Sequence, residues 1–357
     1  MELLRQGIEE FETLVTHLSN LISRGRELED RLRRAFLSRR PAQPRKRRAP
    51  RKLMRLRAFA LPQDVHISFG RGLSMRAGVV TNPSIVIEGE CATLFLRVST
   101  PATSFDHTLI AAARIGLDDL WGRIVLSCRP ILVPVLPYEN VEDPRALDRS
   151  TVFHVRGFAG PLNAVLTFIG LEQGDGFSVA SLLIEFGNSI VALQDLRDTF
   201  AVHTQLAILR PYFRDLDTGG VFVGELRDLT TVVGESIRPL DPLLPANGEA
   251  KTGGNCCVRV SRDEYLLIYH VVDEHGVYRC YSAIIDGGGE IRALLPYPLI
   301  EPDPTLFRGR RPSTVFPCGA AIHRDTLLVA AGVDDEIAVV FEGSLSEILS
   351  EHVKRSS

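Results

Sequence analysis

The segment Glu142-Asp143-Pro144-Arg145 sets two carboxylates and a guanidinium around one proline. Proline fixes its own φ and disfavours helical backbone just before it, so Asp143 is expected in an extended conformation. The charged side chains then point in alternating directions from a stiff segment. A carboxylate displayed this way can hand a proton to a bound substrate, although the same residues would also suit a surface turn closed by an ion pair. The deciding feature is company. Asn82, Arg97, Lys251, His270 and Arg279 stand at matching places in other segments of the chain.

Those places belong to one plan written several times. A kinked, polar, often proline-containing start leads into an apolar strand, a turn, and a second strand ending on a charged residue. It runs from Asn82-Pro83-Ser84 to Leu96-Arg97, from Glu142-Asp143-Pro144-Arg145 to Phe153-His154, and from Gly254-Asn255-Cys256 to Tyr269-His270. Phe316-Pro317-Cys318-Gly319 to Leu327-Leu328-Val329 is a further copy. Pro83 and Pro144 are 61 residues apart, as are Cys256 and Pro317, and the 112-residue gap from Pro144 to Cys256 leaves room for a copy near Asp198–Arg210. Strand repeats of this length predict an all-β, five-bladed propeller, in which inner strands converge on one axis and their charged residues can meet.

The chain has 357 residues, 45% of them hydrophobic, enough for a large core. The formal charge of −3 conceals thirteen Lys or Arg and no acid within residues 31–57, which leaves −16 on the remainder. Residues 1–37 carry apolar side chains at helical spacing, with Leu4, Phe11, Leu18 and Leu32 on a seven-residue period interrupted by Gly25. They predict one long amphipathic helix that braces the ring or joins subunits in a homo-oligomer. Residues 38–60 read as a basic, proline-punctuated linker and 61–357 as the propeller, ending in a short helix near Leu345–Val353.

Other motifs lose their chemistry in context. Asp217-Thr218-Gly219 spells an aspartic-protease triplet, but a single copy behind Phe213-Arg214-Asp215-Leu216 reads as a turn. Gly287-Gly288-Gly289 is not followed by a helix, so a phosphate-cradling loop lacks its frame. The nine histidines and six cysteines show no metal-ligand spacing; no metal is expected, and the thiols suit a reducing, cytoplasmic setting. No run approaches the ~20 apolar residues of a membrane span. No aromatic residue interleaves the basic segment before Phe59, so nucleic acid is not an expected partner.

In order and spacing these segments resemble glycoside-hydrolase family 130, the β-mannoside phosphorylases and related β-1,2-mannosidases, which are five-bladed propellers. The likeness rests on Thr81-Asn82-Pro83, Val141-Glu142-Asp143-Pro144-Arg145, Lys251-Thr252-Gly253-Gly254, Tyr265 to His270, and Val277-Tyr278-Arg279. It continues through Thr314 to Ala320 and Ala331-Gly332-Val333-Asp334, with weaker correspondence at Arg197-Asp198 and Leu209-Arg210-Pro211. It covers roughly residues 75–345. The chain departs from the family pattern at Asn255-Cys256-Cys257-Val258, His154-Val155-Arg156-Gly157 and Val202-His203-Thr204.

The resemblance implies that Asp143 is the proton donor, acting through a sugar hydroxyl. Asn82, Arg97, Glu142, Arg145 and Asp334 would bind the sugar. A phosphorylase replaces activated water by inorganic phosphate, so its second requirement is several cationic donors beside the anomeric carbon. Arg197, Lys251, His270 and Arg279 fit that in type. Expected ligands are thus a β-mannoside or mannose 1-phosphate with inorganic phosphate as co-substrate and no further cofactor. An inverting β-mannoside phosphorylase, run forward or as a mannosyl transferase, is the expected function. A β-1,2-mannoside hydrolase is the alternative on the same scaffold, and the departures leave room for a non-catalytic carbohydrate-binding or scaffolding propeller.

Overall fold

A computed structural model describes residues 2–41, 50–103, 107–136, 138–303 and 309–354, with side chains from residue 12 onward. The body is all-β and propeller-like, built from five sheets of mostly antiparallel strands. One edge strand of each sheet lies innermost: Val79–Glu88, Glu139–Ala146, Leu196–His203, Glu249–Arg259 and Val315–His323. These strands and their immediate partners neighbour one another in cyclic order, from Val315–His323 against Val79–Glu88 round to Glu249–Arg259 against Val315–His323. Separate apolar cores fill the spaces between adjacent sheets. One joins Ala58, Val80, Leu96 and Leu328; another joins Ile268, Cys280, Val329 and Val339. The six cysteines are free thiols.

Closure of the ring comes from both ends of the chain. Arg55–Ala60 pairs antiparallel with Ile337–Ser344, so an early strand completes the sheet made by the last three long ones. The expected linker therefore ends before its predicted boundary at residue 60: Ala58 and Ala60 are buried in one core, while Leu56, across a bulge, and Phe59 pack against another. Its most basic stretch, 42–49, lies outside the described residues.

The expected single helix is two: α1 (Glu2–Arg24) and α2 (Arg26–Arg39), meeting at Gly25. The break has a local cause. The Leu21 carbonyl is shared by the N–H groups of Gly25 and Ala192, and a Cβ at residue 25 would lie 2.1 Å from the Ala192 carbonyl oxygen. Both helices dock on the body. Leu18 and Leu21 pack with Phe158, Leu162 and Phe168, while Leu28, Leu32 and Phe36 are buried in the core that contains Phe213 and Phe222. The C-terminal helix is α3 (Leu345–Ser350), after which Val353–Lys354 adds to a sheet edge.

Candidate active site

The feature that builds the site is a break repeated in the inner strands. Pairing slips between Thr81 and Ser84, Arg197 and Phe200, Gly254 and Cys256, and Pro317 and Gly319. Opposite the same point of the second inner strand it slips between Phe153 and Val155. The residues at the first three breaks, Asn82, Asp143 and Asp198, have φ of +46°, +52° and +47°. Asp143 is thus left-handed and not extended, contrary to the expectation from Pro144. Asn and Asp tolerate that region better than other side chains, but it costs free energy and must be held by its surroundings. Gly332 shows how tightly: a Cβ there would fall 1.9 Å from Asn82 Oδ1.

The bulged residues are tied to one another around the axis. Asn82 Nδ2 donates to Asp143 Oδ1 at 2.6 Å, and Arg97 reaches the same oxygen at 3.3 Å. Arg145 donates to Asp198 at 2.6 Å and to the Asn255 carbonyl at 2.9 Å. Arg210 takes the other Asp198 oxygen at 2.5 Å, and Asn255 Nδ2 donates to the Pro317 carbonyl at 2.7 Å. Burial alone would raise the Asp198 carboxyl, but Arg145 and Arg210 outweigh it and hold the group ionised well below the usual carboxylate range.

Above this floor is a cavity of about 230 Å³ lined by Asn82, Arg97, Glu142, Asp143, Arg197 and Lys251 among the residues picked from sequence. Asn140, Asp198, Arg210, Tyr278, Arg311 and Asp335 also face it. One part is acidic: burial raises Glu142 and Asp335 above the ordinary carboxylate range, against the pull of Arg97 on both. The other part gathers cations. Arg197 Cζ, Arg210 Cζ and Lys251 Nζ lie 4.8, 5.6 and 5.7 Å from the centre of the Tyr212 ring. Lys251 is also 6.0 Å from the Tyr278 ring, which Arg311 covers at 5.2 Å. Burial, then Arg210 and Arg311, lowers the Lys251 ammonium to about 8.

Four residues expected at the pocket are elsewhere. Arg279 follows Tyr278 on one strand, and side chains alternate; Tyr278 faces the cavity, while Arg279 pairs with Asp273 at 2.7 Å and Glu301 at 3.3 Å. Asp334 accepts from the Thr314 and Gly309 amides at 3.2 Å each, and its neighbour Asp335 lines the cavity instead. Arg145 is 2% exposed and belongs to the floor. His270 is wholly buried beneath, its Nδ1 2.9 Å from Asn255 Oδ1. Because Asn255 Nδ2 is engaged by Pro317, that Oδ1 is the acceptor, so His270 carries its proton on Nδ1. Burial first, then Arg210, keeps the imidazole neutral, and a neutral ring with a bare Nε2 does not donate to an anion from there.

Arg210 and Asp335 are the residues that sequence reading should have found. Arg210 closes its repeat as Arg97 and His270 close theirs. Asp335 is displaced from Asp334 by a single position in a turn where both residues have φ of +54°.

Comparison with known proteins bears on what such a pocket serves. Residues 235–354 match a family model described as β-1,4-mannooligosaccharide phosphorylase. The β-1,2-mannobiose phosphorylase of Listeria innocua is 24% identical over 69% of this chain and 69% of its own length. The solved complex of the Listeria innocua enzyme with β-1,2-mannobiose superposes with a TM-score of 0.62 at 17% identity, covering 86% of this chain and 98% of that one. A mannose phosphorylase from Leishmania mexicana, solved with a phosphate ion, gives 0.54 at 13% identity over 92% and 96%. At such identities the structural likeness establishes the fold.

Proposed function

The chain belongs to glycoside-hydrolase family 130 as a divergent member, and on that premise we propose that it is an inverting β-mannoside phosphorylase using inorganic phosphate as co-substrate. The observation that carries this reading is one small cavity with Asp143 on one wall and Arg197, Arg210 and Lys251 gathered on another. Asp143 would protonate the leaving oxygen through a hydroxyl of the bound sugar, which Asn82 and Arg97 help to orient. The cations would hold phosphate against the opposite face of the anomeric carbon and stabilise charge as the glycosidic bond breaks. Forward, the products would be mannose 1-phosphate and a shortened acceptor; in reverse, the same arrangement transfers mannose and releases phosphate. We read the five sheets as five blades of one ring, and the docked N-terminal helices as a brace that also offers a surface for a second copy.

Hydrolysis is the second reading, favoured by Glu142 and Asp335, two half-buried carboxyls that line the cavity with Asp143 and that a water-activating site would use. The test is direct. Incubation with mannose 1-phosphate and a panel of mannose-containing acceptors should release phosphate, and cleavage of β-mannosides should require added phosphate. Cleavage at an undiminished rate without phosphate would establish the hydrolase; sugar binding with no turnover in either direction would leave the non-catalytic reading.

A further inference from the structure

The Asp217-Thr218-Gly219 turn, which has no protease context, sits against the cationic wall. Residues Arg214–Leu216 form a single 3-10 turn, and Asp217 then reverses the chain in the left-handed region at φ +46°. The Asp217 carboxylate accepts the phenolic hydrogen of Tyr212. Thr218 Oγ1 donates to the carbonyl of Ala250 at 2.6 Å, fixing the backbone immediately before Lys251. Thr218 and Gly219 also pair with Phe213 and Tyr212. Two of the three cations around the Tyr212 ring are thereby referred to one short turn: Arg210 through its own strand, two residues from Tyr212, and Lys251 through Ala250.

We infer that Tyr212, clamped by the Asp217-Thr218-Gly219 turn, is the positioning residue of the anion site, its ring gathering Lys251 beside Arg197 and Arg210, whose guanidiniums are paired with Asp195 and Asp198. The physical reason lies in what an aromatic face does that a carboxylate does not. Three like charges brought together repel one another; Asp195 and Asp198 pair with Arg197 and Arg210, and Asp217 partly offsets the repulsion at Lys251, which makes no ion pair of its own among the described residues. A carboxylate paired directly with Lys251 would relieve what repulsion remains, but it would occupy the ammonium's N–H donors and repel a phosphate. The negative face of a tyrosine ring attracts cations while carrying no net charge, so the Lys251 donors remain available to a ligand. The Asp217 carboxylate is turned to the hydroxyl at the far end of the ring.

This rests on the phosphorylase reading, and the test separates the two. Inorganic phosphate is titrated calorimetrically into the full-length wild type, into Tyr212→Phe, and into proteins carrying difluoro- and pentafluorophenylalanine at position 212. The fluorinated rings keep the shape of phenylalanine and drain charge from its face, so folding is held constant while the attraction for cations is removed. The phosphate Kd should rise in steps from Phe to the pentafluoro ring, by about 10-fold overall, with the affinity for mannose unchanged. Tyr212→Phe, which keeps the face and loses the tie to Asp217, should stay within about threefold of wild type. A wild type that does not bind phosphate would overturn the function and the positioning role together. Wild-type binding with a flat fluorine series would overturn the positioning role alone.

Discussion

Asp143 is a buried carboxylate on strained backbone, anchored on one oxygen by Asn82 and Arg97. Asn also tolerates the left-handed region and copies the shape, so if Asp143 is the proton donor proposed above, Asp143→Asn should remove that donation and little else. Turnover should fall by roughly 10²–10⁴-fold with sugar and phosphate affinities held within a few-fold, measured by phosphate release and calorimetry. Loss of binding along with turnover would mean that the carboxylate is structural. Lys251 gives a second prediction through its lowered ammonium, about 8. It is charged below that value and neutral above it, so anion affinity should fall as pH rises from 7 to 9. Sulfate is the cleaner probe because its own charge is constant there. In Lys251→Arg the guanidinium does not titrate in that range, and the profile should flatten. Identical profiles for both proteins would remove Lys251 from the anion site. Residues of this kind were legible where the repeat fixed their position, as at Asn82, Asp143 and Lys251. Tyr278 against Arg279, and Asp335 against Asp334, were decided by one-residue steps along a strand or turn that a motif does not resolve.

Elements were legible where apolar alternation marked strands and where a polar residue interrupted them at a constant place. The left-handed turn at that interruption was not, because it depends on a neighbouring sheet approaching closely, as Gly332 approaches Asn82. The N-terminal segment makes the same point. Its seven-residue period misses a step at Gly25 and resumes at Leu32, and the docking of Ala192 at that step divides the segment into two helices. Gly25→Ala tests that account by opposing two effects. Alanine favours helix over glycine by about 1 kcal/mol, whereas its methyl would meet the Ala192 oxygen at 2.1 Å. The clash should win, lowering stability by about 1–3 kcal/mol in urea unfolding. A stabilised variant would show that the helices do not depend on this contact. Phe36 is fully buried, its ring 5.2 Å from that of Phe213. Phe36→Ala should cost about 3–5 kcal/mol, and a much smaller loss would mean that the helices are only loosely attached to the ring.

At the scale of the whole molecule, a ring closed by pairing between strands far apart in sequence concentrates charge near its axis, and that charge makes the fold sensitive to acid. His154 ends the second repeat as His270 ends the fourth, and both are fully enclosed. Burial first, then Arg156, lowers His154 to about 3, and its Nε2 accepts from Arg156 Nε at 3.0 Å; Arg156 in turn holds Glu139. His270 is likewise lowered, so both rings are neutral in the folded chain. In the unfolded chain a histidine takes up its proton near pH 6.5. As pH falls through that value the unfolded state binds protons that the folded state refuses, and stability falls. The slope is about 1.4 kcal/mol per pH unit for each such histidine, continuing for His154 down toward its folded value of about 3. Glu142 and Asp335, raised by burial, act in the opposite sense over the carboxylate range. A difference between two proteins isolates the histidine from these. Glutamine at position 154 can still accept from Arg156 but does not titrate, so the stability of His154→Gln relative to wild type should rise by about 1.4 kcal/mol for each pH unit between 6 and 4. Denaturant unfolding at four or five pH values measures it. Parallel stability curves for the two proteins would show that His154 is protonated in the folded ring and that the Arg156 contact is not made in solution.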